Sequence, residues 1–151
     1  MGGFASPTRG VFVGGFAPAA SKNIMEYITI ASTGNTTDFG DLTETARNCG
    51  GMASSTRGLR YSGDGTNVID YVTIASTGDA SDFGDATQAR QDASTAASPT
   101  RGIGAGGGAP GYVNTIDYVT IASTGDAADF GDLTLSVSHH EGSSNGHGGV
   151  S

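Results

Sequence analysis

The sequence predicts an all-β fold built from three copies of one four-stranded unit, and three observations carry that expectation. One phrase recurs without gaps at 26–43, 70–87 and 117–134, with most of its columns identical in all three copies. Its opening residues alternate side chains with the two-residue period of a strand and are rich in Tyr, Ile and Thr, which favour strands. No segment carries a helical period or a run of strong helix formers, which excludes repeats made of helix pairs.

Taken in chain order, each unit opens on small residues that run into a Thr-Arg-Gly block, at Thr8-Arg9-Gly10, Thr56-Arg57-Gly58 and Thr100-Arg101-Gly102. Segments such as Gly50 to Ser54 before the block, and Val11-Phe12-Val13-Gly14-Gly15 after it, read as two short strands flanking a tight turn. The third strand is Glu26-Tyr27-Ile28-Thr29-Ile30 and its equivalents at Asp70 and Asp117. Ser32-Thr33-Gly34-Asn35 then supplies turn chemistry, with Gly or Asn available for positive φ. The fourth strand is Asp38-Phe39-Gly40-Asp41, repeated as Asp82 to Asp85 and Asp129 to Asp132, in which one aromatic packs toward a neighbouring sheet. The adjacent glycine predicts a bulge or a close approach of backbones.

Spacing separates framework from loop. The step from acid to aromatic is constant, from Glu26 to Phe39, Asp70 to Phe83 and Asp117 to Phe130. So is the step from aromatic to the next block, from Phe39 to Thr56 and Phe83 to Thr100. Only the step from block to acid varies: Thr56 to Asp70 is shorter than Thr8 to Glu26 or Thr100 to Asp117. A single elastic connection is a surface loop, expected near residues 15–23, 61–67 and 105–114.

A four-stranded unit of this length, repeated around a centre of small residues, is a propeller blade. The order of a double glycine (Gly14-Gly15), a Tyr strand, an aromatic in the fourth strand and a later Arg resembles the kelch repeat. Phe39, Phe83 and Phe130 stand where that family usually has Trp, and the second copy has only Ser62-Gly63 for the double glycine. On this reading blade 1 covers 1–48, blade 2 covers 49–92 and blade 3 covers 93–138, while 139–151 is a tail in phase with the first strand that could complete a neighbouring blade. The phrase is also similar to tandem repeats of marine bacteriophage tail-fibre and other virion structural proteins. That resemblance implies a structural or receptor-binding module in a virion or outside the cell.

Three blades do not close a ring. An open fan leaves strand edges and an apolar face uncovered, and Leu, Ile, Val and Phe make up only about 17% of the chain, a share that borders on disorder unless more core is gained. The simplest completion is a homodimer forming six blades about a two-fold axis; the alternative is a segment of a longer chain or filament.

Composition narrows the partners. A net charge of −8 with only seven Lys and Arg argues against nucleic acid and anionic membranes. The first residues show no basic, apolar signal peptide and no run reaches a membrane span, so synthesis in the cytoplasm is expected. Cys49, the one cysteine, cannot form an internal disulfide and reads as a small buried apolar residue. His139, His140 and Glu141, with His147 beyond, match no zinc spacing. Asp38 and Asp41 lack the oxygen count of a calcium loop and read as turn caps. No metal, cofactor or catalytic constellation is expected, because the informative residues occur in triplicate whereas a catalyst needs a unique site. Arg9, Arg57 and Arg101 recur with Glu26, Asp70 and Asp117, as ion pairs between blades or as a ring of cations for an anionic ligand. The unlike loops offer a second function, glycan or protein recognition, with Tyr61 and Tyr112 as candidates for stacking on a sugar.

Overall fold

The computed structural model describes residues 1–108 and 110–143, which form twelve β-strands and, among the described residues, no helix. Sheet 1 consists of β1 (Gly2–Ala5), β2 (Arg9–Val13), β3 (Lys22–Thr29) and β4 (Thr37–Ala46), sheet 2 of β5 (Gly50–Ala53), β6 (Arg57–Gly63), β7 (Thr66–Thr73) and β8 (Ser81–Asp85). Sheet 3 consists of β9 (Ser94–Ala97), β10 (Arg101–Ala105), β11 (Thr115–Thr120) and β12 (Ala128–Asp132). Each is an antiparallel meander with its strands in sequence order. The registers coincide: the glycine of Thr-Arg-Gly faces Ile28, Val72 or Val119 of the third strand.

The turn before each second strand is closed by a serine. The Ser6, Ser54 and Ser98 hydroxyls accept from the amides of Arg9, Arg57 and Arg101 at 3.1, 3.1 and 3.0 Å, so the strand pair reverses over Ser-x-Thr without a glycine. In the fourth strand the glycine does both things its position predicts. Gly40, Gly84 and Gly131 have φ of 138°, 140° and 137°, and the strand pairing slips beside each of them.

The length variation falls between the second and third strands. That connection covers 14–21 in sheet 1 and 106–114 in sheet 3 but only Asp64-Gly65 in sheet 2, where Gly63 pairs with Thr66. Asp64 and Gly65 both have positive φ, as a two-residue hairpin turn requires.

The first strands β1, β5 and β9 lie next to one another, and the sheets stack face to face in sequence order. Between sheets 1 and 2, Val11, Val13, Met25, Phe39 and Leu42 pack on Val72 and Ile74. Between sheets 2 and 3, Met52, Leu59, Ile69 and Phe83 pack on Val119 and Ile121. Among the described residues the series is open: sheet 1 bears one uncovered face and sheet 3 the other. Sheet 1 takes its innermost strand from Gly2–Ala5 of the same chain, residues 139–143 form no strand, and most of the tail expected to complete a blade, with His147, lies outside the described residues.

Candidate functional site

The chemistry of this molecule is concentrated between its sheets. Each repeat arginine lies over the tyrosine of its own third strand, with Arg9, Arg57 and Arg101 at 4.3, 4.4 and 4.4 Å from the ring centroids of Tyr27, Tyr71 and Tyr118. Each tyrosine in turn meets the repeat phenylalanine edge to face, at 5.9 to 6.0 Å. From this perch the arginine reaches across to the next sheet: Arg9 Nη1 donates to the Ile74 carbonyl at 2.7 Å and Arg57 Nη1 to the Ile121 carbonyl at 3.0 Å.

The expected pairing of these arginines with Glu26, Asp70 and Asp117 is therefore corrected. They join sheets through main-chain carbonyls, because each is stacked on the tyrosine that directly follows the acid, and successive side chains of a strand point to opposite faces of the sheet. Nor do they line the cleft formed by the first strands, whose walls are Met1 to Gly3, Asn48 to Gly51, Asp92 to Thr95 and His139 to Gly142.

Three further hydrogen bonds accompany Arg9 and three accompany Arg57, two between main chains and one to a carboxylate. Gly78 donates to the Phe39 carbonyl and Gly125 to the Phe83 carbonyl, both at 2.7 Å; Ala80 and Ala127 donate to Asp41 and Asp85 at 2.8 and 2.7 Å. The carboxylates of Asp79 and Asp126 accept from the amides of Asp41 and Asp85 at 3.0 Å. Side chains of Asp38 and Asp41 stay exposed, so the capping of this turn comes from the following sheet.

Two buried charge clusters, each pairing a repeat acid with an arginine from outside the repeat, distinguish one junction from the other. Between sheets 1 and 2, Arg60 pairs with Asp70 at 2.6 Å and with Glu44 at 3.3 Å, and Thr43 donates to Asp70. Between sheets 2 and 3, Arg90 pairs with Asp117, both fully buried, while Tyr61 Oη donates to Asp117 at 2.7 Å and accepts from Arg90. Arg90 also donates to the carbonyls of Gly106 and Thr115.

Tyr61 is thus a correction to the expected recognition surface: it lies on β6 at 1% exposure, its ring pinned by Asp117 and Arg90, and offers no face to a sugar. Of the two candidate tyrosines, Tyr112, at 68%, keeps the solvent exposure that stacking needs.

Burial pushes the Tyr61 phenol above its ordinary value of 10.0, with Arg90 pulling the other way. The folded chain holds this proton at a pH where the unfolded chain has lost it. The contribution is intact below 10.0 and is lost as pH rises through the folded value. Urea midpoints of wild type are expected to fall between about pH 9 and pH 11, and Tyr61→Phe to fall less over that interval despite starting about 1 kcal/mol lower from its lost hydrogen bonds. Cys49, also pushed up by burial, is held constant by a Cys49→Ala background.

Exposure separates the internal junctions from the two end faces. Phe39 and Phe83 are 1% and 2% exposed but Phe130 is 50%; Ile74 and Ile121 are both 1% but Ile30 is 52%. Elsewhere, His139 lies 3.3 Å from Asp92, and among the described residues no group of three or more His, Cys, Asp or Glu is placed to hold a metal ion.

The fold and these junctions define the class as an all-β repeat protein of three stacked four-stranded sheets. No protein-family model matches the chain, and no curated protein matches it.

Proposed function

We propose that the chain is a non-catalytic structural module, three blades of a six-bladed propeller completed by self-association, and that it serves as an assembly unit of the kind found in phage virions and tail fibres. One observation carries the reading: the aromatic that seals two junctions is half exposed at the third position. Covering a side chain of that kind stabilises by roughly 1.5–3 kcal/mol, a substantial gain for a chain with so few large aliphatic residues. At the two internal junctions the repeated arginines and phenylalanines are engaged in holding sheets together, which is structural work. The virion setting rests on the likeness of the repeated phrase alone, and the recognition alternative rests on Tyr112 alone.

Light scattering over a dilution series tests the proposal. The expected mass is twice 15.0 kDa and persists into the low micromolar range; a folded particle of 15.0 kDa at every concentration would end it.

A further inference from the structure

We infer that the uncovered face of sheet 3 binds the uncovered face of sheet 1 of a second copy, head to tail, so that two copies close a ring through two identical seams. This inference rests on the self-association proposed above and adds which faces meet and which residues decide it.

The two end faces are the two halves of a junction the molecule already builds twice. On the sheet 3 side, Arg101 is stacked on Tyr118 as Arg9 and Arg57 are on their tyrosines, but it is exposed and, among the described residues, has no following sheet to donate to. On the sheet 1 side, the carbonyl at the equivalent of Ile74 and Ile121 belongs to the exposed Ile30. The same holds for the main chain. Gly78 and Gly125 donate to Phe39 and Phe83, and the next pair in that series is Gly34 with Phe130. A Cβ on Gly40 or Gly84 would lie within 3.0 Å of the following sheet's backbone, whereas one on Gly131 meets nothing within 4 Å. Gly131 keeps the backbone shape of a close approach that, among the described residues, has no neighbour. Asn35 holds the place of Asp79 and Asp126, retaining the carbonyl oxygen that the Asp132 amide requires.

The non-repeated residues say which face belongs to which. At the first junction Glu44 meets Arg60. Aligned on the repeat, the place of Glu44 in sheet 3 is taken by Leu135, and the place of Arg60 in sheet 1 by Phe12. These are among the large apolar residues left exposed, at 68% and 39%. An ion pair inside the chain is thus replaced by an apolar pair across the seam. Both positions are apolar together, on faces that the described residues of one chain do not bring into contact. A face-to-face dimer would instead set Phe12 against Phe12 or Leu135 against Leu135 and leave Arg101 and the Ile30 carbonyl without each other. A heterologous contact closes only if its rotation allows, and two copies are the smallest number that closes this one.

Ile30→Glu and Phe130→Glu each place a charge on one end face, at positions exposed in the single chain, so both variants are expected to keep the far-ultraviolet signature of the fold. In sedimentation velocity each should raise the dimer dissociation constant about 30-fold or more, as loss of a central apolar anchor does. Phe12→Arg and Leu135→Glu should each weaken the dimer, and the double variant, which transplants the Arg60–Glu44 pair to the seam, should regain at least about tenfold of the loss. If only one of Ile30→Glu and Phe130→Glu disrupts the dimer, or neither does, the head-to-tail seam is wrong while self-association stands. A wild-type chain that is monomeric throughout removes both readings. A mass that grows without limit as concentration rises overturns closure by two copies.

Discussion

Asp117→Ala is expected to cost about 3–5 kcal/mol, the range found when one member of a buried ion pair is removed and the other is left uncompensated. Asp117 and Arg90 are both at 0% side-chain exposure, and the carboxylate also takes the Tyr61 hydroxyl and the amide and hydroxyl of Thr87. Its loss leaves a guanidinium in a dry junction and frees three donors at once. Domains of this size are stable by only about 5–15 kcal/mol, so the variant should show a large drop in urea midpoint or fail to fold at physiological temperature. Arg90→Met with Asp117→Leu should recover most of that loss, because a well-packed apolar pair of similar volume removes the desolvation cost along with the attraction. If Asp117→Ala shifts stability by less than about 1 kcal/mol, well short of the cost of breaking a buried pair, the cluster is not what joins sheets 2 and 3.

That cluster also marks where the sequence stops being readable. The strands, their order and the elastic connection follow from residues that recur, because identity between copies inside one chain reports what every unit needs. Gly40, Gly84 and Gly131 can be assigned a bulge or a close approach on those grounds, and they have both the positive φ and, at the internal junctions, the contact. Arg60 and Arg90 recur nowhere. Nothing local says that Arg60 folds back onto Asp70, or that Arg90 reaches a sheet whose strands begin later in the chain. With those arginines invisible, the only cations in register with the repeat acids are Arg9, Arg57 and Arg101, and pairing them is the natural error. Tyr61 is misplaced for a different reason. Asp64-Gly65 is a two-residue hairpin signal between strand-like runs, and taking it at face value extends β6 to Gly63 and buries the tyrosine instead of leaving it in a loop.

Alanine at Gly84 and at Gly131 should separate backbone strain from the packing of sheets, because the two glycines share a conformation and differ in surroundings. At φ of 140° and 137° any L-residue is strained by about 1–3 kcal/mol, the same at both positions. At Gly84 the new methyl also falls within 3.0 Å of the carbonyl of Gly125, a main-chain group that can yield only if sheets 2 and 3 part and give up the Gly125–Phe83 hydrogen bond. Overpacking of that kind adds about 1–3 kcal/mol, so Gly84→Ala should cost about 2–6 kcal/mol in total. For the isolated chain, Gly131→Ala should show the strain alone. Chemical denaturation at high dilution, where copies are apart, measures that difference directly. At high concentration the comparison changes, since a second copy seated on sheet 3 would meet the methyl of Gly131→Ala as sheet 3 meets that of Gly84→Ala. The cost of Gly131→Ala should then rise with protein concentration while that of Gly84→Ala does not. Equal costs at high dilution would mean that the close approach between sheets is not what selects glycine at this position.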